Sequence, residues 1–443
     1  MYPDHQSRSH ALYERALSVM PGGNSRNTVY FPPYPVYIDR AEGCRVWDVD
    51  GVERIDCINN YSALIHGHCH PQIVAALREQ AGKLLSVALP TEAEIRLAEL
   101  VTERMPGVEQ VRFANSGTEA VMIAVMAARA ATGRNKIAKI EGAYHGSYDA
   151  MSVSVYPTPD LWGPEDAPEG VAPAGVYEAA RASTIILPAN NVEVGRAILR
   201  RHADDLAGVI IDPLCKNLGF LQVDGEFLKM LREETSALGA KLIFDEVYSF
   251  RMGYNGAQGE LGVLPDITAM GKVIGGGLPI GAIGAPGKLM EALFDPRGGA
   301  KMSHGGTFNA NPMTMVAGVA AMELYDRAAH DRLAGLGERL RSGLRELLRV
   351  TGRPGTVTGA ASMVGLFHTE EPIKDYRSAV KAMMSEPSLG QRTEAFFRHM
   401  LNNGVYMASQ GFMVLSTAMT EADIDFILDK AEGALRAFPA EAA

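Results

Sequence analysis

The hydrophobic positions of this chain change their spacing near residue 70. Beyond that point, segments with apolar residues three and four apart alternate with short continuous apolar runs, which indicates helices alternating with buried strands. The predicted helices are 72–84, 92–104, 117–132, 191–202 and 226–238. The predicted strands are 111–114, 136–140, 207–211, 241–245 and 267–270. Continuously apolar strands are typical of a parallel sheet covered on both faces, so we expect an α/β fold with a mostly parallel sheet.

The two ends of the chain have a different pattern. Residues 6–20 have helical spacing and stop at Pro21-Gly22-Gly23. Short strand-like runs follow at 36–38, 45–48 and 53–56, and Asp50-Gly51 predicts a hairpin between the last two. The C-terminal third predicts helices at 310–328, up to 349, 391–402 and 421–436, with a strand at 362–367. Residues 368–390 are polar and poorly periodic, which predicts a mobile connection.

Charge and cysteine content narrow the class of protein. The 42 basic and 52 acidic residues give a net charge of −10, which disfavours nucleic acids and anionic membranes as partners. The four cysteines have no C-x-x-C spacing, and the charged N-terminus lacks the apolar segment of a signal peptide. No apolar stretch reaches the roughly 18 residues of a membrane span. We therefore expect a soluble, cytoplasmic protein.

The first candidate site follows the strand 111–114, where Asn115-Ser116-Gly117-Thr118-Glu119-Ala120 begins a helix. Ligands of open α/β sheets bind beyond the carboxyl ends of the strands. The free N–H groups of a helix N-terminus, together with the hydroxyls of Ser116 and Thr118, form a suitable anion site. The alternative interpretation is an ordinary N-cap made by Ser116 or Thr118.

Two further strand ends carry charged residues. Asp245 ends the strand 241–245, and a buried acid there either holds a cation or caps a loop. Gly271-Lys272 follows the strand 267–270, with Gly275 to Gly277 behind it. A desolvated lysine there is a candidate nucleophile, and a solvated loop lysine is the alternative. An anion site, a carboxylate and an amine at one sheet edge match the phosphate, ring nitrogen and aldehyde of pyridoxal phosphate.

Eight short motifs, in the following order along the chain, extend this interpretation: Met20-Pro-Gly-Gly-Asn-Ser-Arg26, Val46-Trp-Asp-Val-Asp-Gly51, Gly67-His-Cys-His-Pro71, Asn115-Ser-Gly-Thr-Glu-Ala120, Tyr144-His-Gly146, Phe244-Asp-Glu-Val247, Gly271-Lys272 and Gly306-Thr-Phe-Asn309. Together they resemble the class III (ω-type) aminotransferases of the fold type I pyridoxal phosphate enzymes. The resemblance is greatest to the branch of glutamate-1-semialdehyde aminomutases and aromatic β-amino acid transaminases. It implies a large cofactor-binding domain at 66–315 and a smaller α+β domain built from 1–65 and 316–443.

The resemblance also implies a role for each matched residue. Lys272 would form the Schiff base with the cofactor and later carry a proton, Asp245 would pair with the ring nitrogen, and Tyr144 would complete the catalytic group. The implied cofactor contacts are Ser116, Gly117 and Thr118 at the phosphate, Tyr144 and Val247 on the two ring faces, and His145, Asp212, Asp245 and Lys272. Thr307 would reach the phosphate of the neighbouring subunit in a homodimer whose active sites lie at the interface.

Some positions depart from the family pattern. The family has Glu-Pro where this chain has Asp212-Pro213, followed by Lys216, and a strand-end turn is the alternative role of Asp212. Arg26 matches an arginine that recognises the substrate carboxylate, although a surface arginine is the alternative. Gln410 stands where aromatic β-amino acid transaminases carry a second arginine, which leaves the substrate open. The segment after Asp245 is one residue shorter than in the aminomutases, which weighs against a strict aminomutase.

The main hypothesis is an aminotransferase that uses pyridoxal phosphate and moves an amino group from an amine or a β- or ω-amino acid to a 2-oxo acid, pyruvate or 2-oxoglutarate. The first alternative is an aminomutase of the glutamate-1-semialdehyde type, or another isomerase or decarboxylase with the same cofactor. The second is a metal-dependent hydrolase built on His66, His68, Cys69 and His70, but this segment matches a family turn that needs no metal. A nicotinamide dehydrogenase is disfavoured because no G-x-G-x-x-G follows a predicted strand.

Overall fold

The computed structural model describes residues 1–386 and 388–438. Its strands are β1 (Ile38–Glu42), β2 (Arg45–Asp48), β3 (Glu53–Asp56), β4 (Gln110–Ala114), β5 (Lys136–Ile140), β6 (Thr184–Leu187), β7 (Leu206–Ile211), β8 (Leu214–Cys215), β9 (Leu221–Gln222), β10 (Lys241–Asp245), β11 (Ile267–Gly271), β12 (Gly281–Ala285), β13 (Thr356–Thr358), β14 (Met363–Phe367), β15 (Val405–Tyr406) and β16 (Phe412–Val414).

The α-helices are α1 (Arg8–Leu17), α2 (Asn59–Ser62), α3 (Pro71–Ala81), α4 (Glu92–Arg104), α5 (Gly117–Thr132), α6 (Asp149–Ser152), α7 (Glu178–Ala182), α8 (Val192–Arg201), α9 (Gly225–Ala237), α10 (Glu246–Ser249), α11 (Gly256–Leu261), α12 (Gly287–Phe294), α13 (Pro312–Leu324), α14 (Arg327–Thr351), α15 (Tyr376–Ser385), α16 (Ser388–Asn402) and α17 (Glu421–Ala437). Among the described residues, no helix combines the length and the apolar character that crossing a bilayer requires.

A central sheet of the order β4-β12-β11-β10-β7-β5-β6 organises the middle of the chain. The pairs from β11 to β6 are parallel, whereas β12 runs antiparallel to both of its neighbours. The prediction of an α/β fold with a mostly parallel sheet is confirmed. The sequence pattern missed β6, which is only four residues long, and β12, whose sequence Gly-Ala-Ile-Gly-Ala is too poor in large apolar residues to be recognised.

Helices cover both faces of this sheet. On one face, α5 packs through Val121, Val125 and small alanines against strand residues such as Ile210 and Ile243. On the other face, α8 and α9 bury side chains against Val209 and Leu242. Each fully buried large aliphatic or aromatic side chain contributes about 1.5–3 kcal/mol, so these two layers hold the strand ends in place.

The N-terminal and C-terminal segments meet in a second sheet of the order β1-β2-β3-β15. The predicted hairpin forms between β2 and β3, and Gly51 makes its turn with a φ of 82°. β15 adds a parallel strand from the C-terminal segment, pairing Val405 with Ile55. A third sheet of the order β13-β14-β16 completes this region.

The mobile connection predicted for residues 368–390 is wrong, because the segment contains α15 and the start of α16. Asp375 and Ser378 form a capping box at the N-terminus of α15. Arg377 lies buried and donates to both carboxylate oxygens of Glu141, at 2.7 and 3.0 Å. This pairing joins residues 236 positions apart, so no local pattern indicates it. The helix predicted at 310–328 also ends earlier, at Leu324, before α14 begins.

Candidate active site

The N-terminus of α5 is capped and also lies close to a neighbouring loop. Ser116 Oγ accepts from Glu119 N at 3.1 Å, and Glu119 Oε2 accepts from Asn115 N at 2.8 Å. A Cβ at Gly117 would fall 2.9 Å from Val247 Cγ1. The N-cap interpretation of Ser116 is therefore correct, and the remaining first-turn N–H groups have no partner within the helix, as an anion site requires.

The loop with Tyr144 and His145 lies beside this helix start. Ser147 N donates to Thr118 Oγ1 at 3.3 Å, and Gly146, with a φ of 95°, lies against Thr118. The Tyr144 hydroxyl is 3.0 Å from Ser147 Oγ, and its side chain is half-exposed. The predicted phosphate segment and the predicted ring-stacking tyrosine are thus brought together.

Asp245 ends β10 and is buried with His145. Its Oδ2 lies 2.8 Å from His145 Nδ1, and its Oδ1 accepts from Val247 N at 3.1 Å. Burial lowers the pKa of His145, against the opposing effect of Asp245, which favours a neutral ring that donates from Nδ1. Within the described residues, His145 Nε2 has no hydrogen-bond partner. Asp245 therefore caps α10 through one carboxylate oxygen and is held by the His145 ring through the other.

A second buried carboxylate lies at the end of the adjacent strand β7. Asp212 Oδ1 accepts from Leu214 N at 3.1 Å. Ile211 and Phe244 pair in register, so Asp212 and Asp245, which follow them, lie at the same level of the sheet. Burial raises the pKa of Asp212 well above its ordinary value, and the charge of Asp245 raises it further. Two like charges in one buried site disfavour double ionisation, so Asp212 has the character of a proton-holding acid.

Lys272 follows β11, which pairs with β10. Its backbone has a φ of 49°, and its Nζ lies 3.8 Å from the centre of the Tyr248 ring. Burial lowers the pKa of Lys272 to about 8, the charges of Asp245 and Asp212 oppose this, and the charge of Lys216 adds to it. The lysine is not the solvated loop residue of the alternative interpretation.

These residues fit pyridoxal phosphate by the chemistry of their groups. The site offers a part-buried amine with a lowered pKa, a carboxylate held by a buried histidine, and a helix N-terminus of small residues. Gly117 and Gly271 both lie against Val247, so this part of the wall leaves no room for further side-chain atoms. The arrangement matches the three functional groups of the cofactor.

The predicted substrate residues lie farther out. Arg26 is exposed and donates from Nη1 to Asn60 Oδ1 at 2.9 Å. Gln410 is exposed and precedes Phe412, whose ring lies 5.0 Å from Lys216 Nζ. Neither Arg26 nor Gln410 has a recorded hydrogen bond to Lys272, Asp245 or Asp212 in the described part of the chain.

Thr307 is exposed, as is Phe308 beside it. Asn309, at the end of the same motif, accepts through Oδ1 from Asn115 Nδ2 at 2.8 Å. The motif therefore lies near the α5 N-terminus of its own chain, and the Thr307 contact with a second subunit stays a prediction.

The histidines of the Gly67-Pro71 region have other partners. His66 binds Thr417 Oγ1 and Ala321 O, each at 2.9 Å, and His68 Nε2 lies 2.7 Å from Asp56 Oδ2. Cys69 is exposed. Across residues 1–386 and 388–438, no group of three or more His, Cys, Asp or Glu side chains is arranged to hold a metal.

Two site features were not assigned from the sequence. The ring of Tyr248 contacts Lys272 Nζ, and its spacing of three residues from Asp245 on a short helix was the available signal. The hydrogen bond between His145 and Asp245 spans 100 residues and joins the loop after β5 to the end of β10, strands that β7 separates, so no local pattern indicated it.

Comparison with known proteins agrees with this geometry. A family model described as "Aminotransferase class-III" matches residues 28–435. A glutamate-1-semialdehyde 2,1-aminomutase from Halalkalibacterium halodurans is 39% identical over 435 residues, covering 97% of this chain and 98% of that protein. An omega-transaminase from Sphaerobacter thermophilus is 45% identical with a TM-score of 0.94 and 98% coverage of both chains. A beta-phenylalanine aminotransferase from Variovorax paradoxus is 34% identical with a TM-score of 0.85, covering 96% of this chain and 93% of that chain. The chain belongs to the class III aminotransferases, a family of enzymes that use pyridoxal phosphate.

Proposed function

We propose that this enzyme transfers an amino group from an amine or a β- or ω-amino acid to a 2-oxo acid such as pyruvate or 2-oxoglutarate. The observation that carries the proposal is the part-buried Lys272, within electrostatic range of Asp245, in a chain that is 45% identical to an omega-transaminase over nearly its whole length. The shortened segment after Asp245 supports transamination over the aminomutase reaction.

The bound cofactor supplies an electron sink for the negative charge left on the substrate carbon when a proton is removed. In this proposal, Asp245 would hold the protonated ring nitrogen, and His145 orients that carboxylate. Ser116, Gly117 and Thr118 would bind the phosphate, and Val247 and Tyr144 would enclose the ring. Removing the partner of a buried charge costs about 3–5 kcal/mol, which is the scale of the Asp245 contribution.

Lys272 acts twice in this proposal. With the cofactor bound, its Nζ would hold the cofactor aldehyde until the amine of the substrate takes that place. The freed, neutral Nζ would then accept the proton from the substrate carbon and hold it for return, a transfer worth about 10²–10⁴-fold in rate. A pKa of about 8 suits this role because a useful fraction of the amine is unprotonated near neutral pH.

The test uses the cofactor-loaded enzyme with an amino donor alone. We expect the visible absorbance of the cofactor to change by one equivalent per active site and then stop, because the amino group stays on the enzyme until an oxo acid arrives. Adding pyruvate or 2-oxoglutarate should restore the first spectrum. Lys272→Ala should abolish the cycle, while the exposed Lys229→Ala on α9 should not. Purified protein that neither contains nor binds pyridoxal phosphate would sink the proposal.

An aminomutase is the second candidate, and the 39% identity to a glutamate-1-semialdehyde 2,1-aminomutase favours it. Such an enzyme moves the amino group within one molecule and needs no acceptor. Following glutamate-1-semialdehyde by NMR without any added oxo acid separates the two reactions, because a transaminase stops after one turnover and an aminomutase continues.

We further propose a homodimer formed through the face that carries Thr307. Leu85, Leu89 and Phe308 are exposed at 61%, 73% and 60%, and Asn311 Nδ2 donates to Leu85 O at 3.1 Å, which joins the two segments. Light scattering should give twice the chain mass. Phe308→Asp should shift the mass towards the monomer and lower cofactor retention, whereas an unchanged dimer would argue against this face.

A further inference from the structure

Lys216 is a cation without a counter-ion next to the proposed site. It follows β8 and is part-buried, and burial lowers the pKa of its ammonium to about 8. Within the described residues, the ammonium makes one long hydrogen bond, 3.4 Å from Nζ to Asn217 Oδ1, and no carboxylate forms an ion pair with it. A half-desolvated ammonium of this kind lacks a partner that would offset the cost of its burial.

The surroundings of the ammonium are aromatic. Its Nζ lies 5.0 Å from the centre of the Phe412 ring and 5.8 Å from that of Tyr61, and these two rings are 6.3 Å apart. Ring faces stabilise a cation only partly, by about 0.5–2 kcal/mol. Phe412 is buried and Tyr61 is part-buried, so the Tyr61 ring is the apolar surface beside the charge on which the aryl or alkyl part of a ligand can pack.

A chain of buried ring contacts joins the surroundings of Lys216 to Lys272. Phe412 contacts Phe220 at 5.3 Å between ring centres, and Phe220 contacts Tyr248 at 6.0 Å. The Tyr248 ring then lies 3.8 Å from Lys272 Nζ. The charge of Lys216 also contributes to the lowered pKa of Lys272, so the two ammonium groups lie within electrostatic range of each other.

Arg26 and Gln410 are less suited than Lys216 to bind a substrate carboxylate. Both are exposed, and Arg26 already donates to Asn60 Oδ1 at 2.9 Å. Water and salt screen a charge in such a position, so it contributes about 0–1 kcal/mol to an ion pair. Lys216 is part-buried, and its ammonium has N–H donors that make no hydrogen bond among the described residues.

We propose that Lys216 binds the carboxylate of an amino-acid substrate whose aryl or alkyl part packs on Tyr61, and that the contact with Lys216, rather than one with Arg26, selects acids over simple amines. The inference rests on the proposed function for the reaction itself and adds to it the substrate class. Lys216 is thus a specificity residue, joined to the reacting amine through the packed rings of Phe412, Phe220 and Tyr248.

The primary test is binding, measured by calorimetry on the cofactor-loaded enzyme. The two probes are 3-phenylpropanoate and 3-phenylpropanamide, which differ in charge and lack an amino group. We expect Lys216→Met to weaken binding of the acid about 10- to 100-fold, the usual value of a hydrogen bond to a charged group, and to change binding of the amide less than about twofold. Lys216→Arg should retain most of the affinity, and Lys229→Met, on the exposed face of α9, should bind both probes like the wild type.

Three results overturn the inference. Unchanged binding of the acid by Lys216→Met does so, and so does an equal loss for acid and amide, which would indicate a packing role. A loss found in Arg26→Met and absent from Lys216→Met also overturns it, because the entrance arginine would then hold the carboxylate. Retained cofactor absorbance and circular dichroism establish that each variant is folded.

A second readout separates this inference from the proposed function. The ratio of kcat/KM for 3-amino-3-phenylpropanoate to that for 1-phenylpropylamine, which carries a methyl in place of the carboxylate, should fall about 10- to 100-fold in Lys216→Met. If the wild type transfers no amino group while the calorimetric pattern holds, only the proposed function fails. If the wild type transfers amino groups and Lys216→Met keeps the same ratio, only this inference fails.

Discussion

The lowered pKa of Lys272 leads to a quantitative prediction about its reactivity. Burial among Tyr248 and the strand ends lowers this pKa from 10.5 to about 8. At pH 7.5 a group with a pKa of about 8 has about a quarter of its amine unprotonated, against about one part in a thousand for an ordinary lysine. We therefore expect the unprotonated fraction of Lys272, in protein stripped of pyridoxal phosphate, to be about 200 times that of an ordinary lysine at pH 7.5.

The assay is trace acetylation with acetic anhydride over a pH series, followed by mass spectrometry of each lysine peptide. The exposed Lys229 corrects for decay of the reagent. Modification of Lys272 should have its midpoint near pH 8. Asp245→Asn should move the midpoint down, because the charge of Asp245 raises this pKa, and Lys216→Met should move it up, because the charge of Lys216 lowers it. A midpoint near pH 10, or shifts of the opposite sign, would refute the reasoning.

The same shift has a consequence for stability. Lys272 binds its proton less tightly in the folded state, so the unfolded chain carries more protons between pH 8 and pH 10.5. The contribution of Lys272 to the free energy of unfolding therefore rises with pH across this window, by about 3 kcal/mol in total. Well below pH 8, at about pH 6 and lower, the lysine is charged in both states and its contribution is constant.

Three other changes have defined outcomes. Arg377→Met breaks a buried ion pair and should lower the free energy of unfolding by about 3–5 kcal/mol, measured as faster hydrogen exchange in α15. Lys381→Met, on the exposed face of that helix, should change the exchange little, and equal effects of the two variants would contradict the prediction. Gly117→Ala places a methyl against Val247 and should weaken cofactor retention measured by absorbance, and adding Val247→Ala should restore part of it; no rescue would point to another cause. His145→Phe should weaken cofactor binding at least about tenfold by leaving its carboxylate partner unoriented, and unchanged affinity would remove His145 from the site.

The sequence was sufficient where chemistry coincides with local pattern. Lys272 and Asp245 each end an apolar strand, and adjacent parallel strands bring such ends together. It was insufficient where distant residues decide the structure. The polar segment around Arg377 becomes ordered through Glu141, and the surroundings of Lys216 come from Tyr61 and Phe412, which lie far apart in the chain. The domain limits at 65 and 315 stay predictions.

The antiparallel strand β12 has a consequence for the order of folding. With β11 it makes a hairpin whose loop contains Lys272, and Gly271 pairs with Gly281 only ten positions away. A loop of this size closes in well under a microsecond, and hairpins form within about 1–10 μs. The carboxylate and its histidine, by contrast, are 100 positions apart and must wait for slower long-range closure. The reactive amine should thus acquire its left-handed backbone before the rest of the pocket exists. Pulsed hydrogen exchange during refolding tests this order, and protection of β7 and β5 before β11 and β12 would reverse it.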